Sequence, residues 1–258
     1  MPLVHAAYGA FSYLVFLASF LYAIGFVGNI VVPKSIDAPP GPGGWLAFAA
    51  DAFVLGLFAV QHSVMARPAF KRCWTRIVPE PIERSTYVLL SSLLLGLVFY
   101  AWQPLDGSVW DLRGSPAGDA LVALEAFGWI VVLLSTFMIA HFELFGLTQV
   151  WRRLRDRAMP VPVFSEVLLY RVVRHPIMLG FLIAFWSAPR MTHGHLLFAV
   201  LTTGYILVGI GLEERDLLDA LGASYARYRE RVPMLVPFIG GAARRSSREA
   251  PAAPRPRA

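Results

Sequence analysis

A chain of 258 residues that is 57% hydrophobic and only 16% charged, with a mean hydropathy of +0.57, excludes an ordinary soluble domain. Its single cysteine, Cys73, excludes an internal disulfide and any cysteine-cluster metal site. The net charge of +6 requires no nucleic acid, because a basic face against anionic membrane lipid accounts for it.

Crossing a ~30 Å hydrocarbon core takes ~20 helical residues. The first apolar run, from about Tyr8 to Val32, has no Lys or Arg before it and ends in GNIVVPK, not at a small-residue cleavage site. It reads as a retained span. The Pro/Gly turn APPGPGG follows, then a second span from Trp45 to Val64, a basic loop, and a third span from Ser85 to Trp102. After the loop PLDGSVWDLRGSPAGD, a fourth apolar run reaches from Ala117 to Leu147, long enough to carry His141 and Glu143 out of the core. The region Pro176 to Leu212 is too long for one span and is interrupted by SAPRMTHGH, so it reads as a helical hairpin. The fold expected is an all-α integral membrane protein: four transmembrane helices plus a C-terminal transmembrane hairpin, five to six spans in one domain over 1–240. Residues 241–258 form a Pro-, Ala- and Arg-rich tail with too little aliphatic bulk to fold.

Basic residues set the orientation. They crowd the loop after span two (Arg67, Lys71, Arg72, Arg76, Arg84), the loop before the hairpin (Arg152, Arg153, Arg155, Arg157, Arg171, Arg174) and the stretch after Glu213. Lys34, Arg113 and Arg190 are the basic residues of the remaining turns. The rich pieces share one side only if 176–212 crosses and returns, which puts both termini in the cytoplasm.

The hairpin mouth is chemically unusual for such an apolar chain. In Arg174-His175-Pro176 the proline suits a first helical turn, so free N–H groups there face the cytoplasm and can hold a carboxylate. The return helix brings Glu213 and Glu214 to the same depth, where they can hold an ammonium or ribose hydroxyls. Facing cationic and anionic halves suit a zwitterion. The same charges also admit a structural reading, in which Arg174 reaches for the interface, His175 caps a helix and the glutamates pair with arginines of the tail. His193 and His195 lie at the outer tip with no evident third ligand, so no metal site is expected. Asp51, inside span two, must face the bundle or lie near its outer boundary.

The segments LLYRVVRHPIMLGF and EERDLLDALGASYARYRERVPMLVP resemble the C-terminal signature, here 174–233, of membrane methyltransferases typified by isoprenylcysteine carboxyl methyltransferase and phospholipid N-methyltransferases. Gly222, Tyr225, Tyr228, Val232 and Pro233 supply its last elements, while Met178 stands where these enzymes often have tyrosine. The resemblance implies that Arg174, His175, Glu213, Glu214, Tyr225 and Tyr228 bind S-adenosylmethionine as methyl donor. YLVFLASFLYAIGFVGNIVVPKSIDAP, FAVQHSVMARPAFK and HFELFGLTQVW are similar to the bacterial methanethiol S-methyltransferases, grouped with NnrU-like membrane proteins. That resemblance implies a bacterial cell-membrane enzyme converting methanethiol to dimethyl sulfide with release of S-adenosylhomocysteine. The same fold acting on a lipid or isoprenylcysteine acceptor, or a non-catalytic NnrU-like protein, stands as the alternative. A thiol attacks as thiolate, so a base is wanted. His62 and His141, near span ends at the depth of the mouth, are the candidates, with Gln61, Ser63, Glu143 and Gln149 orienting them or lining the substrate pocket. Phe142, Phe145 and Trp151 read as packing or interfacial residues. Neither the resemblance nor the residues specify an oligomeric state.

Overall fold

The computed structural model describes residues 1–39, 43–159 and 166–237, so the basic tail at 241–258 lies outside them. Five helices are long and apolar enough to cross a membrane: α1 (Pro2–Gly28), α2 (Trp45–Ala66), α4 (Glu80–Ala101), α5 (Pro116–Ile139) and α9 (His193–Leu221). The protein is a multi-pass, all-α membrane protein. Local chemistry sets the boundaries. Asn29 closes α1 in the left-handed region (φ 57°, ψ 38°). Arg67, before Pro68, is extended, as a residue preceding proline prefers, and this separates α2 from the short α3 (Pro68–Trp74). Ser115 caps α5 by accepting a hydrogen bond from the Gly118 amide at 3.1 Å.

Two expectations are corrected. The fourth helix does not run to Leu147: α5 stops at Ile139, a single turn α6 (His141–Leu144) follows, and α7 (Leu147–Leu154) leaves after Gly146. Gly146 has φ 89°, and a Cβ there would meet the Ser85 Oγ at 2.6 Å, so the chain turns where it crosses α4. Arg84 Nε donates to the Leu144 carbonyl at 2.7 Å, serving an acceptor outside the regular helix. The hairpin is also unequal. Its first arm, α8 (Pro176–Trp186), has 11 residues, about 16 Å at ~1.5 Å per residue, or half a hydrocarbon core. From Ser187 the chain continues partly extended, which covers more distance per residue, and strand β2 (Arg190–Thr192) pairs antiparallel with β1 (Ser108–Asp111).

This β-ribbon belongs to one end of the bundle. There Trp102 Nε1 donates to Ile36 O at 3.2 Å, Lys34 Nζ to Tyr100 O at 2.6 Å, and Thr192 Oγ1 to Asp37. Asp51 is fully buried and accepts the Gln103 N–H at 2.7 Å, so it faces the bundle and ties α2 to the turn after α4. His195 Nε2 lies 3.0 Å from Phe185 O, and His193 Nδ1 lies 2.7 Å from Asp106 O, so both rings fasten the turns at this end. At the opposite end Arg67 meets Asp216 at 2.8 Å and Arg174 meets Glu214 at 2.7 Å. The three arginine-rich pieces therefore converge on one end.

Aromatic rings fill the core between these ends, with Phe26, Phe99, Trp102, Trp129, Phe185 and Phe198 in one cluster. Small residues set the closest helix contact. A Cβ on Gly128 of α5 would lie 2.7 Å from Gly180 O, and one on Gly180 of α8 would lie 2.7 Å from Gly128 O. Backbones this close are how membrane helices associate without a hydrophobic driving force. The glycine of RHPIMLG thus fixes the Arg174-His175 helix against α5.

Gly180→Val is expected to force α8 from α5 and to lower stability by about 1–3 kcal/mol, the usual cost of overpacking, read as a lower unfolding temperature in detergent. A second test uses acid. Burial alone would raise the Asp37 carboxyl, but the His195 imidazole, with its Nδ1 at 3.7 Å, and hydrogen bonds from Thr192 and Asn29 outweigh it and hold the group below the ordinary aspartate value. A depressed carboxyl contributes stability above its unfolded pKa and loses it as pH falls through the folded one. The fall in unfolding temperature below about pH 4 should therefore be shallower in Asp37→Asn.

Candidate active site

The hairpin mouth assembles as one ionic cluster. Arg174 Nε lies 2.7 Å from Glu214 Oε1, His175 Nε2 lies 3.2 Å from the same oxygen, and Arg229 Nε lies 3.5 Å from Oε2. Glu213 approaches the other face of the imidazole, with its Oε2 at 3.7 Å from Nδ1. The two glutamates are not equivalent: Glu214 is buried among the Arg174, His175 and Arg229 side chains, whereas the Glu213 side chain is 47% exposed. The first turn of α8 has no capping side chain, which leaves its amides at the cluster.

The segment after α9 builds the floor. Gly222 adopts φ 55°, closes α9 and starts α10 (Ala223–Arg231). Arg174 Nη1 donates to Val232 O at 2.6 Å and Arg229 O at 3.1 Å, and the Arg174 and His175 amides donate to Pro233 O and Met234 O. The Val-Pro of the signature therefore pairs with RHP through backbone. Tyr225 and Tyr228 are buried with ring centroids 5.8 Å apart. The Tyr228 hydroxyl donates to Tyr170 O at 2.6 Å, and burial pushes its pKa up to about 12. Met178 packs among Ile206, Ile210 and Leu235.

His62 lies in a buried polar network between α2 and α4. Its Nε2 is 2.8 Å from the Tyr87 hydroxyl and its Nδ1 is 3.2 Å from Ser91 Oγ, which Gln61 Nε2 also reaches at 3.4 Å. Phe58 and Tyr205 flank the ring. Ser63 offers its carbonyl to Arg67 Nε at 3.2 Å. Arg67, at the end of α2, also pairs with Asp216 of α9 at 2.8 Å. The helix end that carries His62 is thus tied to the helix that carries Glu213.

His141 follows the break after α5. Its Nε2 is 2.8 Å from the Tyr13 hydroxyl, its Nδ1 is 2.8 Å from Thr136 Oγ1, and its ring stacks on Phe137 at 4.1 Å. Burial lowers the imidazole pKa below the ordinary value, which keeps the ring neutral at neutral pH. Ser135, beside Thr136, accepts a hydrogen bond from the Tyr170 hydroxyl at 3.4 Å, and this links the end of α5 to the Tyr228 floor.

Glu143 and Gln149 go elsewhere. Gln149 Nε2 donates to Glu143 O at 3.1 Å, and both line a cavity of about 680 Å³ together with Lys71, Glu83, Arg84 and Arg152. Neither residue touches His62 or the mouth. Sequence reasoning also missed Tyr87, Ser91, Tyr13, Thr136, Tyr170 and Tyr205. Tyr87 and Ser91 stand four residues apart, hence on one helix face, and that was the signal available.

A methanethiol S-methyltransferase of Mycobacterium tuberculosis is 58% identical over 90% of this chain and 95% of its own length. The chain belongs to the methanethiol S-methyltransferase family. Methanethiol S-methyltransferase 2 of Bradyrhizobium diazoefficiens is 50% identical over 95% of this chain and 94% of its own length. Nurim of Mus musculus is a more distant relative, 30% identical over 78% of this chain and 87% of its own length. No family model matches the chain, and no solved structure does.

The unequal glutamates make a direct prediction. Glu214→Gln leaves the buried Arg174 guanidinium short of its partner, a loss of about 3–5 kcal/mol for a broken buried pair, so it should lower the unfolding temperature clearly. Glu213→Gln should leave that temperature within a degree or two of the wild type. Equal loss in both would contradict the asymmetry.

Proposed function

We propose that this family member is a membrane S-methyltransferase that moves the methyl group of S-adenosylmethionine onto methanethiol, giving dimethyl sulfide and S-adenosylhomocysteine. The observation that carries the reading is the mouth itself, a buried Arg174–His175–Glu214 cluster with a half-exposed Glu213 beside it, in a chain that is 58% identical to a methanethiol S-methyltransferase.

The donor set fits the amino-acid end of S-adenosylmethionine. Arg174, His175 and the uncapped amides of α8 suit its carboxylate. Glu213 suits its ammonium, with Glu214 behind. Tyr225 and Tyr228 hold the floor on which Arg174 is set. When bound, S-adenosylmethionine supplies an electrophilic methyl carbon on a sulfonium whose departure as a neutral thioether needs no acid. What remains for the chain is alignment and proton removal.

Methanethiol must lose its S–H proton as its sulfur bonds to the methyl carbon and the old C–S bond breaks. His62 is the leading base: it is half-buried, bonded at both nitrogens to hydroxyls that can reorient, and tied through Arg67 at the end of its helix to α9, which carries Glu213. Gln61 and Ser63 orient this network. His141, kept neutral by burial, is the second candidate. Because basic residues favour the cytoplasmic side, the mouth and both termini are assigned there, in a bacterial cell membrane. Residues 1–240 act as one unit, with 174–233 as the donor site.

Headspace gas chromatography of the detergent-purified protein with both substrates tests the reading. Wild type should yield dimethyl sulfide. Glu213→Gln should raise KM for S-adenosylmethionine about tenfold with a smaller change in kcat. His62→Ala should lower kcat by the ~10²–10⁴ typical of a lost general base, with donor KM nearly unchanged. A folded wild type that makes no dimethyl sulfide refutes the activity. Full turnover in His62→Ala transfers the role to His141.

A further inference from the structure

The cavity of about 680 Å³ is absorbed by neither the hairpin mouth nor the histidine networks. Its size is that of a small-molecule site. Lys71, Arg84, Arg152 and Arg153 line it, and none of the four makes an ion pair among the described residues. Acceptors share the wall: the carboxylates Glu80, Glu83 and Glu143, set against five cations once Arg157 is counted, and the Gln149 amide. Glu83 is 8% exposed, and its Oε1, like Gln149 Oε1, has no hydrogen-bond partner among the described residues. Buried acceptors without donors are costly. The lining therefore suits a ligand with an anionic part for the cations and a hydrogen-bond donor for Glu83 and Gln149.

Position selects the class of ligand. Ile139 and Leu144 complete the wall, at the break where α5 ends. Phe137, Ile139 and Phe142 beside it are each more than half exposed, an apolar surface continuous with the outward face of α5. Trp151, half-exposed with the Arg155 guanidinium 4.5 Å from its ring centroid, marks the headgroup level. An opening with cations inside and an apolar face below it matches a lipid, its phosphate in the cavity and its chains along α5.

We propose that this cavity binds the phosphodiester of a membrane lipid whose headgroup ends in a hydrogen-bond donor, the ammonium of an ethanolamine lipid or the hydroxyl of a glycerol lipid. Arg152, Arg153, Lys71 and Arg84 hold the phosphate, and Glu83 with Gln149 holds the donor. A choline headgroup has no N–H or O–H to offer and fits less well. Because Arg84 also lies over the Tyr87 ring, with its guanidinium carbon 5.1 Å from the centroid, the bound headgroup adjoins the residue that holds His62.

The test is thermal unfolding of lipid-depleted protein in detergent with dihexanoyl phosphatidylethanolamine, phosphatidylglycerol, phosphatidylcholine or inorganic phosphate. The ethanolamine and glycerol lipids are expected to raise the unfolding temperature by several degrees, choline less than half as much, and phosphate not at all. The double variant Arg152→Gln/Arg153→Gln, changed at the accessible rim, should lose most of the rise, and Glu83→Gln should narrow the difference between ethanolamine and choline. Equal stabilisation by all three lipids, or an undiminished rise in the arginine double variant, would overturn the proposal. A phosphate effect as large as the lipids' would assign the cavity to a soluble anion and overturn it as well.

Discussion

Glu214 holds one end of the molecule together. A carboxylate at the end of a membrane helix is costly unless cations meet it, and here Arg174 and Arg229 do so, with the His175 imidazole on the same carboxylate, from the start of α8 and from α10. Three elements distant in sequence are thus fixed by one side chain. Once Glu214 is satisfied in this way, Glu213, one residue earlier and turned outward, is left half-exposed next to cations already in place. An ionic cluster with one outward carboxylate is suited to exchange partners with a zwitterion, because each ligand charge meets an oppositely charged group without new charge being buried.

The remainder of the fold serves that placement. The Gly128–Gly180 contact sets the height of α8 against α5, and the β1–β2 ribbon and the Asp37, Asp51 and His195 ties fix the far end, from which α9 descends about 30 Å to Glu214. An α8 half as long as a span is possible only because the chain beyond it is extended and buried under those ties. Both histidine networks hang on the same frame: His62 through Tyr87 and Ser91 of α4, and His141 through Tyr13 of α1 and Thr136 of α5.

Much of this was legible in the sequence, for physical reasons. Hydropathy reports length and apolarity, so the four long runs and α9 could be read directly. Proline at the first helical turn announced the start of α8 at Pro176, and the asymmetry of arginine announced which ends lie together. Hydropathy is blind to a helix that stops inside an apolar run, and so the break at Ala140 was missed: its cause, Gly146 against Ser85, is a tertiary contact. The same holds for the short α8. Of the candidate residues, Arg174, His175, Glu213 and Glu214 came together as their spacing implied, because helix geometry puts both hairpin ends at one depth. Tyr87 and Tyr13 were invisible, since a hydroxyl in an apolar run gains meaning only from the histidine it meets. Glu143 and Gln149 went to a separate cavity because the turn at Gly146 redirects the chain that carries them.

On the proposed function, the hairpin mouth reads the amino-acid end of the methyl donor. The most direct measurement is calorimetric titration of the purified protein with S-adenosylhomocysteine and with 5′-methylthioadenosine, which keeps the nucleoside and lacks the amino and carboxyl groups. S-adenosylhomocysteine should bind at least tenfold more tightly, about 1.4 kcal/mol, and Glu213→Gln should remove most of the difference. Equal affinity for the two ligands in the wild type would contradict that role.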